Sequence, residues 1–271
     1  MKKITLLLIV VGLIFSVQTF AQVKIGIKAG GNLNNMKFDI DRDYGDEPET
    51  KTKMGFHIGL ITDIPLLEST LSLQPALLFS NKGYSVDMEE MLDDAFDDYG
   101  VDIDDIDDYE GYVRLNYNYI ELPINLVYKN SGFQVSAGPY FAVGIGGSFK
   151  HDFSFEADGE DFDGEDFDSD DFFDEDSYKL KPVFGEVDDD MYEDYLDDED
   201  IIELYRAFDF GLNIGVGYQV KSVLFNVGYS FGLTNLTPKY DAYDYDMDED
   251  YTENVIQKNR VFTFSVSYFF N

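Results

Sequence analysis

The sequence predicts an all-β fold: an eight-stranded antiparallel up-and-down β-barrel that crosses a membrane and carries long acidic loops on its extracellular side. Three observations predict it. Eight segments alternate large apolar residues with small or polar ones, the connections between them are alternately short and long, and nearly all the acidic residues lie in the long ones.

The chain opens with Met1-Lys2-Lys3, an apolar run from Ile4 to Val17 and a small-residue site at Thr19-Phe20-Ala21. This pattern describes a secretory signal peptide over residues 1–21, cleaved between Ala21 and Gln22. A membrane-anchoring helix is the other reading of the same run. The chain has no cysteine, which excludes a lipid anchor on the first mature residue, disulfides and thiolate metal sites. The barrel domain then occupies residues 22–271.

Eight segments follow. Val23, Ile25, Ile27 and Ala29 alternate with Lys24, Gly26, Lys28 and Gly30, and Met54, Phe56, Ile58, Leu60, Thr62 and Ile64 form the second apolar face. Leu71, Leu73, Leu77 and Phe79 form the third, opposite Ser72, Gln74, Ala76 and Ser80. The fourth, Tyr112 to Lys129, changes phase near Tyr119, where Leu115, Tyr117 and Tyr119 give way to Ile120, Leu122, Ile124, Leu126 and Tyr128. A bulge at that point is expected to keep one apolar face continuous. The fifth sets Phe133, Val135, Ala137, Phe141, Val143 and Ile145 against Gln134, Ser136, Gly138, Gly144 and Gly146. The last three are the most regular: alternate residues from Phe208 to Tyr218, from Val223 to Phe231 and from Phe262 to Phe270 are apolar. A soluble sandwich also alternates. It would turn charged residues to water, whereas the second face here is mostly Gly, Ser, Asn and Thr, which suits a tight lumen.

The short connections are Pro65 to Glu68, Asn130-Ser131 and a turn near Val220; the long ones cover about 33–52, 83–111, 150–202 and 234–258. Alternation puts every long loop on one side, with short turns and both termini on the periplasmic side. The four loops hold 6, 13, 24 and 7 acidic residues, 50 of the 55 in the chain. The formal charge is −36, and −38 once Lys2 and Lys3 are removed. Such a chain repels nucleic acid. Its 20 tyrosines and 24 phenylalanines also exclude general disorder, so charged loops sit on a folded scaffold.

The lumen face is expected to hold Lys28, His57, Asp63, Glu121 and Asp209. Lys28, Glu121 and Asp209 are read as charges that hold the barrel closed, the alternative being a proton or ion path; buried charges need partners in either case. In the third loop, Gly159-Glu160-Asp161-Phe162-Asp163 repeats as Gly164-Glu165-Asp166-Phe167-Asp168. Asp161, Asp163, Asp166 and Asp168 offer oxygen ligands to a hard cation, Ca2+ or Mg2+. No segment has EF-hand spacing, which favours weak, diffuse binding over a dedicated site, and no cofactor is expected. Met88, Met91, Leu92, Ala95, Phe96 and Tyr99 predict an amphipathic helix in the second loop, and Met191, Tyr192, Tyr195 and Leu196 a shorter one in the third. The two histidines, His57 and His151, and the lack of cysteine leave little material for nucleophilic or zinc catalysis.

Four motifs carry a family resemblance: Tyr119-Ile120-Glu121-Leu122-Pro123, Ala137-Gly138-Pro139-Tyr140, Phe208-Asp209-Phe210-Gly211 with Gly215-Val216-Gly217-Tyr218, and Tyr229-Ser230-Phe231-Gly232-Leu233-Thr234-Asn235-Leu236. In this order they resemble the PorT-like outer-membrane β-barrel domains, related in architecture to small OmpA-type and OmpX-type barrels. The resemblance implies an eight-stranded barrel resident in the outer membrane, and it implies no single activity. The last strand, with Phe264, Val266, Tyr268 and Phe270 in phase, also resembles the terminal signal read by barrel-assembly machinery, although it ends on Asn271 and the chain lacks Trp. The expected role is non-enzymatic, with acidic loops presented for binding or envelope interaction. A narrow porin-like cation pore, or an accessory part in protein secretion, is the alternative. Outer-membrane lipid is the expected surrounding, and any external ligand is left open.

Overall fold

A strand that is apolar on one face and small or polar on the other belongs in a sheet whose two sides meet different surroundings. The computed structural model describes residues 23–40, 48–67, 70–87, 106–157, 160–163, 179–187, 202–240 and 255–270. It builds such a sheet from eight long strands: β1 Lys24–Ile40, β2 Lys53–Leu67, β3 Leu71–Asp87, β4 Ile106–Asn130, β5 Phe133–Ala157, β6 Phe208–Val220, β7 Val223–Gly232 and β8 Val255–Phe270. Each runs antiparallel to the next in sequence. β8 pairs with β7 and also with β1, from Ile25 opposite Phe270 to Ile40 opposite Val255, which closes the ring.

Side-chain alternation now has a direction. Ile25, Ile58, Leu77, Leu122, Phe141, Ile214, Phe225 and Val266 point outward and are exposed, while Asn32, His57, Ser72, Gln134, Asp209 and Ser265 point inward and are buried. Two tight turns are set by backbone in the left-handed region: Ser131 (φ 50°) and Gly132 (φ 88°) between β4 and β5, and Lys221 (φ 55°) between β6 and β7. Positive φ at a two-residue turn matches the right-handed twist of the flanking strands.

Three prolines mark gaps in the ladders. Pairing lapses between Ile61/Ala76 and Ile64/Leu73 beside Pro75, between Pro75/Ile124 and Leu78/Glu121 beside Pro123, and between Pro123/Tyr140 and Leu126/Ala137 beside Pro139. Proline has no N–H to give. The Thr62 hydroxyl supplies one donor instead, to the Pro75 carbonyl at 3.2 Å.

Two expectations are corrected. The strands run well past the expected loop bounds: residues 33–40, 83–87, 106–111, 150–157 and 255–258 are strand. In these extensions the alternation inverts, because Met36, Phe38 and Tyr84 are buried inside the ring while Lys37 faces out and is exposed. A search for apolar residues on the outside passes over such a stretch. The second correction concerns β4, which keeps a single phase: Leu115, Tyr117, Tyr119 and Glu121 all face inward. The bulge lies on β5, where Asn118 pairs with Gly146 and Tyr119 with Gly144, leaving Ile145 extra. What looked like a change of phase is an apolar lumen giving way to a polar one.

Other expectations lie outside the described residues: the signal peptide at 1–21, the helices at 88–99 and 191–196, and Asp166 and Asp168. Asp161 and Asp163 sit in a short strand, Glu160–Asp163, hairpinned onto β5.

Gly146 at the bulge has φ +130° and open space where a Cβ would stand. Gly146→Ala is expected to destabilise the folded form by about 1–3 kcal/mol through backbone strain alone. Gly31→Ala, where the nearest atom to a Cβ is 4.0 Å away, should leave stability unchanged in the same urea titration. Equal effects at the two sites would contradict the bulge assignment.

Candidate functional site in the lumen

From the turn end to the loop end, the inward face stacks four layers. At the turn end the Lys129 ammonium lies 2.6 Å from the Asp63 carboxylate. Gln74 donates to Asp63 (3.2 Å) and Gln134 donates to Gln219 (2.7 Å), so polar side chains of β2, β3, β4, β5 and β6 meet across the opening. Next to them Ile61, Ala76, Leu78, Leu224 and Phe269 form a small apolar cluster.

Above this lies a polar cavity of about 50 Å³ whose lining includes Lys28, His57, Glu121, Asn125, Asn213 and Thr263. It has room for a few waters at most. His57 Nδ1 donates to Asn32 Oδ1 at 2.7 Å, and its Nε2 has no hydrogen-bond partner among the described residues.

The third layer is an ion cluster. Lys82 Nζ lies 2.8 Å from Glu121 and 3.3 Å from Asp209, with both carboxylates and the amine almost fully buried. Asp209 also accepts from the Tyr140 hydroxyl at 3.0 Å and from Asn259 Nδ2 at 2.8 Å. The ammonium sits 4.3 Å from the Tyr140 ring centroid and 5.2 Å from that of Tyr119. Five strands contribute: β3, β4, β5, β6 and β8. Charges this deep persist only with partners on every side, because desolvation alone costs several kcal/mol per ion.

The fourth layer caps the loop end. Two third-loop segments, Lys179–Val183 and Ile202–Arg206, run parallel to each other, and the first continues the wall beside β5 beyond its bulge. They turn Leu180 and Tyr205 inward against Met36, Tyr84, Leu115, Tyr117 and Tyr119, with Leu236 joining from the chain after β7. Tyr205 packs edge-on against Tyr117 at 4.7 Å, and its hydroxyl donates to the carbonyl of the bulge residue Gly146 at 3.1 Å.

The structure thus brings Glu121 and Asp209 together on Lys82, places Lys28 and His57 on the cavity below, and pairs Asp63 with Lys129. Sequence reasoning missed Lys82, Lys129, Tyr140 and Asn259. Lys82 was within reach, since one more step along the Ser72, Gln74, Ala76, Ser80 face arrives at it. The motifs behind the family resemblance supply most of the ion cluster: Tyr119 and Glu121 from the first, Tyr140 from the second and Asp209 from the third.

The family model for the outer membrane protein β-barrel domain matches residues 18–237. A search of curated proteins found no match. Among solved structures, the chain is similar to neisserial surface protein A (8% identity, 92% of this chain and 99% of that one, TM-score 0.35). Ail of Yersinia pestis is similar at 9% identity (92% and 100%, TM-score 0.36). OprG of Pseudomonas aeruginosa follows at 12% (92% and 94%, TM-score 0.34).

Lys82→Met leaves two buried carboxylates without their cation and is expected to cost about 3–5 kcal/mol of stability. Adding Glu121→Gln and Asp209→Asn to it should restore part of that loss. Denaturant midpoints of the single and triple variants test this; a Lys82→Met protein as stable as wild type would remove the cluster from its structural role.

Proposed function

Because the chain belongs to the outer membrane protein β-barrel domain family, we propose that it is a closed, non-enzymatic barrel of the outer membrane that presents acidic loops for binding at the cell surface. The observation that carries this reading is the filled lumen. Among the described residues, apolar and ionic layers follow one another from the Gln74, Gln134 and Gln219 contacts to the Tyr117–Tyr205 cap, around a polar cavity of about 50 Å³. An eight-strand interior is just wide enough for side chains to fill, and here they fill it. This argues against the porin-like pore and leaves the loops as the part free to meet other molecules.

The outward apolar residues, some half or more exposed as Ile25, Phe56, Leu77 and Phe225 are, suit hydrocarbon contact. The acidic runs 88–105, 164–178 and 188–201 are joined in sequence to strand ends away from the tight turns at Ser131-Gly132 and Lys221, which is what suits them to a surface role. Within the family, the four motifs favour the PorT-like members, and Phe264, Val266, Tyr268 and Phe270 on the outer face of β8 suit recognition by barrel-assembly machinery. The acidic repeat containing Asp161, Asp163, Asp166 and Asp168 would gather Ca2+ or Mg2+ weakly, as a screening atmosphere.

In planar bilayers the purified chain should stay electrically silent; steady cation-selective steps would overturn the closed-barrel reading. On intact cells, externally added protease should cut within residues 88–105 or 164–178 and leave the barrel strands joined by their ladders. Complete protection of these loops, with cleavage only after the envelope is opened, would place them on the wrong side of the membrane.

A further inference from the structure

On the outer face, beyond the apolar belt on the loop side, two pairs of like charges stand directly opposite each other. In the β8–β1 ladder the outward rows run Phe262 opposite Leu33, Arg260 opposite Asn35 and Lys258 opposite Lys37. Half the ring away, in the β4–β5 ladder, they run Ile120 opposite Val143, then Asn118 opposite Gly146, Asn116 opposite Ser148 and Arg114 opposite Lys150. Both sides pass from apolar, through groups already bonded to the wall, to a cation pair. In the middle rows the Arg260 guanidinium donates to the carbonyls of Gly232 and Asn259 at 2.8 Å, and the Asn116 amide donates to Ser148 at 3.3 Å.

Like charges directly opposite one another destabilise a sheet. This chain has 55 acidic residues to 19 basic ones, so carboxylates to relieve the repulsion were abundant. Yet among the described residues Arg114, Lys150 and Lys258 have no carboxylate partner, and Lys37 has only an exposed contact with Asp39 at 3.5 Å. Lys37, Arg114 and Lys150 are exposed and Lys258 is half-buried. The Arg114 guanidinium carbon lies over the Tyr112 ring, 4.3 Å from its centroid.

We propose that the Lys37–Lys258 and Arg114–Lys150 pairs bind the phosphates of anionic lipids in the leaflet on the loop side. The proposal rests on the membrane reading above and names the lipid chemistry that the wall selects. A lipid phosphate is held at the edge of the apolar belt by its own acyl chains; the pairs stand two outward rows beyond that edge on one side and three on the other, and long Lys and Arg stems reach back along the wall to such phosphates. The strongly negative loops disfavour soluble polyanions at the same place.

The test uses the mature chain in nanodiscs of phosphatidylcholine, with and without phosphatidylglycerol. The chain's overall negative charge predicts that anionic lipid should lower the unfolding midpoint; the cation pairs predict that it rises. The rise should disappear when Lys37, Arg114, Lys150 and Lys258 are all changed to Gln. Lys150→Glu with Lys258→Glu, which turns each repulsive pair into an ion pair, should be at least as stable as wild type in phosphatidylcholine and should also lose the rise. An unchanged or lowered midpoint in the native chain, or a rise retained by these variants, overturns the site. So does an equal rise caused by inorganic phosphate in phosphatidylcholine discs, which would assign the cations to soluble anions. Insertion into both kinds of disc without response to phosphatidylglycerol sinks the lipid site alone, whereas failure to insert into either counts against the membrane reading.

Discussion

The pairing of β8 with β1 is the contact on which the rest of the molecule depends. In hydrocarbon no water is present to satisfy an N–H or C=O, and each orphaned group costs several kcal/mol, so a sheet exposed to lipid has to close. The continuous ladder from Ile25/Phe270 to Ile40/Val255 joins the last strand to the first. Closure fixes how many strands surround the lumen, and the number of strands fixes how much side chain the lumen must hold. The proline gaps are tolerable for the same reason: a closed ring with the other ladders intact supports a few missing bonds beside Pro75, Pro123 and Pro139.

Closure also explains why polarity reverses along a single strand. Over the belt, Ile120, Leu122 and Leu126 of β4 face outward and Glu121 faces in; toward the loop end, Leu115, Tyr117 and Tyr119 face in and Arg114 faces out. Nothing in the backbone of β4 changes between them, since the strand keeps its period of two from Arg114 to Leu122. The surroundings change, from hydrocarbon outside a polar interior to a polar outside around an aromatic cap.

How much was legible follows from that reversal. Lys28, His57, Asp63, Glu121 and Asp209 lie in stretches where the outer face is apolar, and the alternation alone assigned them to the inside. Lys82 follows the polar inner face of β3 by one further step, yet its outward neighbours Asn81 and Gly83 no longer announce a membrane strand. Tyr140 looked like a motif residue with no assigned contact, and only the β5–β6 register, with Gly211 opposite Tyr140, brings its hydroxyl to Asp209. The Tyr205 cap could not be read at all: it comes from a short segment of an acidic loop whose composition resembles a solvated linker.

By itself, the sequence determined which residues of the belt face outward, because a period of two and a charge-free belt are local properties that survive without knowledge of partners. It also determined that several ionisable groups must be buried. Tertiary structure alone decided which of them meet. The position of Lys82 between Glu121 and Asp209, the aromatic cap, and the cation pairs at Lys37–Lys258 and Arg114–Lys150 all depend on register between strands distant in sequence. Register is set by closure of the whole ring, including one extra residue at Ile145, and no local pattern contains that information.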